Sequence, residues 1–520
     1  MRSRLFLLLL NLIFVWELTG ASEKDDFQKL HQQAINRTRR IIFNNDGNEP
    51  VVFCKEATTE ELLKQRTSPL LGSQVDSIFY CTWSSGFGLF THNTKVGQVF
   101  NTREEMFTNN LTQEFLDKGI DPLRVMTDFG RKNNIEIFWS MRMNDTHDGG
   151  GANYAPVFFR ANKLKMEHPE YLIGSKEKPS KYGAWSAVDY GVPEIRELAF
   201  KYCEEVCQNY DVDGIELDFF RHAFFFKCSS RGEPCGETEL NQMTDLIRRI
   251  RAMTEREGRK RKRPILIAIR VPDSVEYCKV IGIDLKRWLT SDFVDLLIVS
   301  GYTQLNPWEY SVKLGHKYGV KVYPSLDEPR VADEAARKLR EKPETFRGRA
   351  MNIWASGADG VYMFNFFDPH SSLWWELGDP KIIQQLDRNY FASVRGVGAM
   401  PVPHKDFIHV PILNPGNPIE VGSNAPTNIL FYFGEDLRRS AQEARAKIEM
   451  RLQIRGLPQF DQLKFKLNGK RLMQPESSNG WLQFKLMEKQ LRKGNNALEI
   501  AVADGSKSLL VTDLYVAITY

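Results

Sequence analysis

The 520-residue sequence has few cysteines for its length, and none has a spacing that suits a metal site. Its seven cysteines include no Cys-x-x-Cys pair and no Cys/His spacing typical of zinc. We therefore predict no bound metal, no cofactor, and a fold stabilised mainly by its apolar core. Cys228 and Cys235 enclose a short polar loop, which predicts a disulfide between them in an exported chain.

The sequence also has little net charge. Its 70 basic and 66 acidic residues leave a formal charge of +4, so the overall electrostatics favours no particular partner. One basic run covers residues 259–263, between a predicted helix and a predicted strand. Such a run is more typical of a solvated connector than of a nucleic-acid contact. We predict no nucleic-acid partner.

Long apolar runs are confined to the N-terminus. Arg2 and Arg4 precede an apolar run at 5–16, and the small residues at 19–21 suit cleavage. The run is too short to span a bilayer comfortably. We predict a signal peptide at 1–21 and a mature protein that is secreted or periplasmic, without membrane contact after cleavage. The sequence leaves the oligomeric state open.

Short apolar strands alternate with amphipathic helices through most of residues 22–395. Helical periodicity is clearest at 193–210 and 237–256. Eight such alternations predict an α/β fold, a (β/α)8 TIM barrel over 22–395. A doubly wound sheet is the alternative, disfavoured because no Gly-rich phosphate turn follows an early strand. The predicted strands are 41–44, 77–82, 136–141, 214–219, 265–270, 296–300, 321–324 and 360–364.

The pattern changes near residue 396. A Gly/Pro-rich linker is predicted at 396–405, and the alternation of helices and strands stops after it. The later apolar segments alternate or are rich in β-forming residues, with Asn-Gly and Asp-Gly turns between them. We predict a small antiparallel β-sandwich domain over 406–520, which either packs against the barrel or binds carbohydrate. Its predicted strands are 428–433, 447–454, 462–467, 480–486, 497–502 and 510–518.

The fourth predicted strand ends in several ionisable side chains. Side chains alternate along a strand, so Glu216 and Asp218 face one way while Ile215 and Leu217 face the other. Two inward carboxylates are costly unless they are paired or used. Asp218 is either a catalytic carboxylate or a satisfied polar residue of the barrel interior. Glu216 lies one layer deeper, which favours a supporting role.

In a TIM barrel, chemistry occurs at the C-terminal ends of the strands, and polar residues follow every predicted strand here. We predict Asp218 as nucleophile or base and either Asp273 or Glu328 as the acid, with Asp327 and Asp145 as weaker contenders. Asp273 and Glu328 could instead begin helices. The residues predicted to bind substrate are Trp83, Arg142, Asn144, Asp145, His147, Glu216, Arg221, His222, Arg270, Tyr302 and Asn365.

The segment at 213–222 resembles the fourth-strand motif of the alpha-amylase superfamily, and the barrel resembles the "glycosyl hydrolase-like" barrels of exported bacterial proteins. In that motif an Asp ends the strand as nucleophile and a His follows four residues later, as Asp218 and His222 do. The motif's Arg is Glu216 here, so the match is partial. The resemblance implies an acid on strand five, which favours Asp273. The chitinase motif would require a Glu at Phe220, which argues against that mechanism.

Together these features predict a secreted glycoside hydrolase that cleaves O-glycosidic bonds of a poly- or oligosaccharide with a carboxylate pair. The arginines at the strand ends favour an anionic glycan. One alternative is a carbohydrate-binding protein that has the barrel but no catalysis. Another is a metal-dependent hydrolase or lyase using Asn144, Asp145 and His147. The Asp and His of that group could also simply hold the long loop that follows.

Overall fold

The computed structural model describes residues 26–182, 185–396, 404–422, 425–437, 446–456, 463–502 and 508–520. The predicted signal peptide and residues 397–403 of the predicted linker lie outside these ranges. Over the described ranges, no helix has both the length and the apolar character needed to cross a bilayer. Export therefore stays a prediction.

The strands of the described residues lie in a barrel, in two C-terminal antiparallel sheets and in one short two-stranded ladder. In chain order they are β1 (Ile41–Asn45), β2 (Val75–Tyr80), β3 (Leu89–Phe90), β4 (Gln98–Val99), β5 (Glu136–Arg142), β6 (Gly214–Asp218), β7 (Leu266–Val271), β8 (Leu296–Val299), β9 (Lys321–Leu326), β10 (Val361–Met363), β11 (Arg388–Phe391), β12 (Ile419–Val421), β13 (Thr427–Phe433), β14 (Lys447–Arg455), β15 (Leu463–Leu467), β16 (Lys470–Arg471), β17 (Glu476–Ser478), β18 (Trp481–Leu486), β19 (Gly494–Val502) and β20 (Leu509–Thr519).

Helices lie mainly between the barrel strands. They are α1 (26–35), α2 (Thr59–Arg66), α3 (Thr112–Asp117), α4 (Pro122–Asn133), α5 (Ala155–Arg160), α6 (Lys163–Glu167), α7 (Pro193–Asn209), α8 (Lys227–Arg231), α9 (Glu237–Lys260), α10 (Val275–Val280), α11 (Leu285–Thr290), α12 (Trp308–Lys317), α13 (Glu334–Arg340), α14 (Pro343–Ala355), α15 (Leu373–Glu376) and α16 (Pro380–Ile383). Local sequence explains their ends. For example, Asp121 accepts the N–H groups of Leu123 and Arg124 to start α4, and Asn134 ends it with φ of +56°.

Eight parallel strands close the barrel in the order β1-β2-β5-β6-β7-β8-β9-β10, and β10 pairs back to β1. All eight predicted barrel strands are present, so the predicted TIM-barrel fold is confirmed. The outward-facing Ile215 and Leu217 belong to the large core between strands and helices. A second core inside the barrel contains Phe79, Phe138 and Tyr362. Parallel strands buried on both faces require this apolar composition.

Ion pairs and polar groups alternate with these aromatic rings inside the barrel. At the N-terminal end, Arg39 donates to both carboxylate oxygens of Glu136 at 2.7 and 2.8 Å. The stacked rings of Phe79 and Phe138, 4.4 Å apart, form the layer above. Glu216 lies in register with Ser140 of β5, two residues before Asp218. Because every second side chain of a strand points inward, the polar side chains inside the barrel lie in successive layers towards its C-terminal face.

The C-terminal region contains two antiparallel sheets, as predicted. One has the order β11-β20-β14-β18-β17, with β12 also on β20, and the other has the order β13-β19-β15-β16. The rings of Phe465 and Phe484 meet between the sheets at 4.9 Å. Strand β11 precedes residue 395 in the chain yet pairs with β20. The exact domain boundaries remain predictions.

The disulfide prediction is also confirmed. Cys228 and Cys235 are bonded, with their Cα atoms 5.4 Å apart. The remaining cysteines of the described residues are buried and unpaired: Cys54, Cys81, Cys203, Cys207 and Cys278.

The basic run at 259–263 is not simply solvated. Arg263 pairs with Asp211 and Asp213 just before β6.

A buried ion pair joins a barrel helix to the C-terminal sheets. Arg340, near the end of α13, donates to both oxygens of Asp513 in β20 at 2.8 and 2.7 Å, and both side chains are buried. We expect Asp513→Asn to lower the free energy of unfolding by about 3–5 kcal/mol, because it leaves a buried guanidinium without its anion.

Denaturant unfolding followed by circular dichroism measures this loss. Asp245→Asn is the matched control, since Asp245 pairs with Arg248 on the surface of α9, with both side chains more than half exposed. Its expected effect is below about 1 kcal/mol. Equal losses in the two variants would contradict the structural role of the buried pair.

Candidate active site

A buried ion pair lies at the C-terminal end of the barrel. Asp218 ends β6 and is in register with Arg270 of β7. Asp218 Oδ1 accepts Arg270 Nε at 2.9 Å and the Phe220 N–H at 2.8 Å, while Oδ2 accepts Arg270 Nη2 at 2.7 Å. A carboxylate offers about four acceptor positions, so among the described residues one position on Oδ2 has no donor, and the side chain is 3% exposed. The Arg270 guanidinium lies 3.8 Å from the centre of the Phe364 ring.

Glu216 lies one layer below this pair. Its carboxyl accepts hydrogen bonds from the hydroxyls of Ser140 at 2.5 Å and Tyr362 at 2.7 Å. Burial, together with the charge of Asp218, raises the pKa of Glu216 to about 7. Glu216 has no access to solvent and does not reach the face, so its contacts suit support of β6 rather than contact with a substrate.

Arg142 organises the carboxylates on the neighbouring side of the face. It ends β5 and donates to Asp46 at 2.6 Å, to Asp145 at 3.1 Å and to Ser85 at 2.8 Å. Burial alone would raise the pKa of Asp46, but Arg142, Arg221 and Arg66 outweigh burial and hold that pKa at about 2. Asp46 is therefore an ionised carboxylate at the rim, with a side chain that is 14% exposed.

Asp145 is the acceptor for His147. The carboxylate lies 2.8 Å from His147 Nδ1 and also accepts the N–H of Gly86 at 3.2 Å. Burial opposes ionisation of Asp145, but His147 and Arg142 prevail and hold its pKa well below the usual range. The His147 side chain keeps 26% exposure and presents Nε2 towards Arg221 at 3.3 Å. His147 is thus the accessible member of this pair.

His222 stands beside His147, with ring centres 4.9 Å apart. The N–H of Thr146 donates to His222 Nδ1 at 3.2 Å, and burial lowers the pKa of His222 well below its usual value. Donor atoms of Asp145, His147 and His222 all lie within 4.8 Å of one another, a spacing that could hold a metal ion. However, these donors already bond to one another and to backbone N–H groups, and two guanidiniums lie beside them.

Arg221 joins the histidines to the opposite side of the face. Its Nη1 donates to the hydroxyl of Tyr302 at 2.6 Å and to Asn365 Oδ1 at 3.0 Å. Its guanidinium also lies 5.5 Å from the centre of the Phe364 ring, next to Arg270. Arg142, Asp145, His147, His222, Arg221, Tyr302 and Asn365 therefore form one contact network around the Asp218–Arg270 pair.

Two predicted substrate-binding residues lie in less accessible surroundings. Asn144 is buried, and its side chain exchanges hydrogen bonds with the backbone of Val188 and donates to Phe224 O. It thereby ties the long loop after β5 to the barrel. The Trp83 ring packs against Phe100 and Phe158 at centre distances of 5.8 and 6.0 Å. Its Nε1 is buried without a partner within the described residues.

The contenders for the acid differ in access. Both oxygens of Asp273 accept backbone N–H groups of Leu305 and Asn306 at 2.9–3.0 Å, and burial raises the pKa of Asp273 to about 6. Asp327 is buried between Arg349 and Arg395. Glu328 is 53% exposed and accepts Arg330 at 2.9 Å. Arg330 in turn lies 3.9 Å from the centre of the Tyr302 ring.

Asp46 is the residue of this face that the sequence did not single out. It follows β1 in the run Asn44-Asn45-Asp46-Gly47, which carries the polar and turn residues of many ordinary loops. Its contact with Arg142 joins positions 96 residues apart in the sequence. The polar residues after strand one indicated a possible site, but they did not identify Arg142 as the residue that pairs with Asp46 and lowers its pKa.

The chain shows limited similarity to known proteins. No protein-family model matches it. It is 28% identical over 116 residues to the glycosyl hydrolase YngK of Bacillus subtilis (strain 168), a segment that covers 21% of this chain and 19% of YngK. The chain thus matches about a fifth of that relative. The similarity agrees with the resemblance to glycoside hydrolase barrels.

Solved structures to which the chain shows some similarity include an alpha-L-fucosidase isoenzyme 2 from Paenibacillus thiaminolyticus, with a TM-score of 0.41 and 14% identity over 67% of this chain and 49% of that one. An Anoxybacillus alpha-amylase gives a TM-score of 0.38 and 10% identity over 90% and 99% of the chains. The Group IV chitinase of Ostrinia furnacalis gives 0.37 and 11% over 67% and 98%. Values this low assign no activity.

Glu216 generates a testable pH dependence. Its pKa rises from 4.5 in a free carboxyl to about 7 in the folded chain, so between these values the folded state binds more protons than the unfolded state. The free energy of unfolding should therefore fall as pH rises through this window. We expect Glu216→Gln to remove on the order of 1–3 kcal/mol of that fall.

Denaturant unfolding at several pH values from 4.5 to 7.5 measures the effect. Glu334→Gln is the control, because Glu334 is exposed on α13, where it pairs with Lys338. Its stability should follow the same pH curve as the native chain. An unchanged pH curve for Glu216→Gln would show that Glu216 is not a proton-binding group of the folded state in this range.

Proposed function

We propose that this chain is a glycoside hydrolase that cleaves O-glycosidic bonds of a poly- or oligosaccharide at the C-terminal face of its barrel. The observation that carries the proposal is the position of Asp218. It lies at the end of the fourth barrel strand, where Arg270 donates hydrogen bonds to both of its carboxylate oxygens. The similarity of a 116-residue segment to a glycosyl hydrolase supports it. A secreted or periplasmic location belongs to the same proposal.

Asp218 acts in this proposal as nucleophile or base. Arg270 donates to both oxygens of its carboxylate and fixes their orientation, and the Phe220 N–H adds a further donor. The free acceptor position on Oδ2 is the one that would face an anomeric carbon or an attacking water. His147, Arg221, Tyr302 and Asn365 then supply the polar contacts that orient the sugar.

Glu328 is the proposed acid. A general acid must reach the leaving oxygen, and Glu328 is the exposed contender, beside Arg330 and Tyr302. Asp273, whose pKa is about 6, has a protonation range that suits an acid. Its oxygens, however, are held by the backbone of residues 305 and 306, which suits a loop anchor. Asp273 therefore ranks second.

A carbohydrate-binding protein without turnover is the second candidate. It is favoured by the extensive bonding of the buried acids at this face, since Asp218, Asp145 and Asp327 each pair with arginine. Carboxylates held in this way can orient a glycan without cleaving it. Binding of oligosaccharides without release of reducing ends would favour this candidate.

A metal-dependent reaction is the third candidate function, in which Asp145, His147 and His222 would hold the metal ion. The hydrogen bond between Asp145 and His147, and the Thr146 N–H on His222, satisfy these groups without an ion. The neighbouring Arg142 and Arg221 would also repel a cation. Activity that is lost with EDTA and restored by a divalent ion would support this third reading.

Variants of the three acids test the proposed function. We expect Asp218→Asn to reduce hydrolysis of an oligosaccharide panel by about 10³-fold or more, because it removes the attacking or activating carboxylate. Glu328→Gln should reduce kcat by about 10²–10⁴-fold with little loss of stability, because the residue is exposed. Reducing-end assays and thermal unfolding provide the two measurements.

Asp245→Asn is the control for loss of a surface carboxylate and should retain native rates. Asp273→Asn distinguishes the two acids: a loss of activity that exceeds that of Glu328→Gln, at matched stability, would assign the acid to Asp273. Native hydrolysis by folded Asp218→Asn would disprove the proposed role of Asp218.

A further inference from the structure

We propose that Arg221 binds a carboxylate or sulfate group of the glycan, so that the substrate class is an anionic poly- or oligosaccharide. This inference rests on the proposed function for the site and adds the chemistry of the substrate. The group that carries it is a guanidinium that is only 9% exposed and has no carboxylate partner at bonding distance.

The direct partners of Arg221 include no carboxylate. Its guanidinium contacts the hydroxyl of Tyr302, the amide oxygen of Asn365 and the imidazole Nε2 of His147. Its Nε is buried without a hydrogen-bond partner among the described residues. No ion pair within 4.0 Å joins Arg221 to an acidic residue of the described parts of the chain. A buried positive charge in this state is stabilised when an anion reaches it.

The other buried arginines of the face behave differently. Arg270 is held by both oxygens of Asp218, and Arg142 is held by Asp46 and Asp145. Each of these guanidiniums is therefore paired with carboxylates of the protein, although Arg270 Nη1 is buried without a partner among the described residues. Arg221 also contributes to lowering the pKa of Asp46, but the carboxylate of Asp46 is bonded to Arg142. Arg221 thus keeps donor capacity for a ligand.

A second guanidinium lies on the same side of the face. Arg330 stacks on the ring of Tyr302, at 3.9 Å from its centre, and the hydroxyl of that ring accepts Arg221. The partner of Arg330 is the exposed Glu328, and such exposed pairs are worth only about 0–1 kcal/mol. An anionic sugar could therefore displace Glu328 from Arg330 at little cost. Two guanidiniums around one aromatic ring suit a planar carboxylate or a sulfate.

Equilibrium binding tests the inference without requiring turnover. The probes are neutral, uronic-acid and sulfated oligosaccharides of matched length in the gluco, galacto and manno series, titrated by calorimetry into the full chain. We expect at least one uronic-acid or sulfated series to bind about tenfold or more tightly than its neutral counterpart. The uronic-acid and sulfated arms distinguish carboxylate from sulfate. Raising the salt concentration should weaken the partly exposed contact.

Arg221→Gln should remove about tenfold or more of the affinity for the anionic probe and lower the affinity for its neutral counterpart by a clearly smaller factor, so that the preference for the anionic probe is lost. Arg221→Lys should retain part of the preference, because it keeps the charge but loses the planar fork. Arg330→Gln, at a more exposed position, should weaken the preference even if Arg221→Gln is unstable. Arg248→Gln removes a surface guanidinium on α9 and should leave all affinities unchanged.

Equal binding of neutral and anionic probes, binding of none of them, or equal loss on both in folded Arg221→Gln would overturn the inference. Failure of the proposed function has a separate signature. In that case the anionic preference and its dependence on Arg221 persist, while no probe is hydrolysed. Hydrolysis of neutral glycans at rates independent of Arg221 would leave the proposed function intact and reject the anionic substrate.

Discussion

The buried ion pair between Asp218 and Arg270 constrains the whole upper end of the barrel. Each of these charges would cost several kcal/mol if it were buried alone. Strands β6 and β7 therefore have to keep the register that sets the two residues side by side. A shift of one residue would turn Asp218 towards the helices and Leu217 into the polar interior. The ring of Phe364 lies over the guanidinium, 3.8 Å from it.

The same constraint divides the carboxylates of the face into two groups. Arg142 contributes to holding the pKa of Asp46 at about 2 and that of Asp145 well below the usual range, and Arg270 donates to both oxygens of Asp218. Such groups can attack or accept a proton, but they are poor proton donors. A proton donor must come from a carboxyl without a buried arginine partner, which leaves Asp273 and Glu328. In the proposed mechanism the base therefore lies at a strand end and the acid on a loop.

Much of the fold followed from sequence periodicity. The barrel strands were predictable because buried parallel strands are short apolar runs separated by amphipathic helices, and β6 began at the predicted Gly214. The inward position of Glu216 followed from the strand period of two. The pairing of β11 with β20 was not predictable, because nothing in residues 388–391 indicates a partner more than 120 residues later. Long-range pairing depends on packing that local sequence does not encode.

The site was predictable to a smaller extent. Asp218, Arg270, Arg221 and Tyr302 lie together because each follows or ends a barrel strand, and the barrel brings strand ends together. What Asp273 contacts could not be read from its sequence, because its partners are backbone N–H groups of a loop that follows another strand. The importance of Asp46 was hidden for a similar reason, since Arg142 comes from a different strand.

Tyr302 links the acid chemistry to recognition of the substrate. Its hydroxyl accepts a hydrogen bond from Arg221, and the guanidinium of Arg330 stacks on its ring. Arg330 in turn donates a hydrogen bond to the exposed Glu328. An anionic group that bound both guanidiniums would draw Arg330 away from Glu328. Glu328 would then be released from its ion pair and could turn towards the leaving oxygen of the bound sugar. A neutral glycan would instead leave Glu328 paired with Arg330.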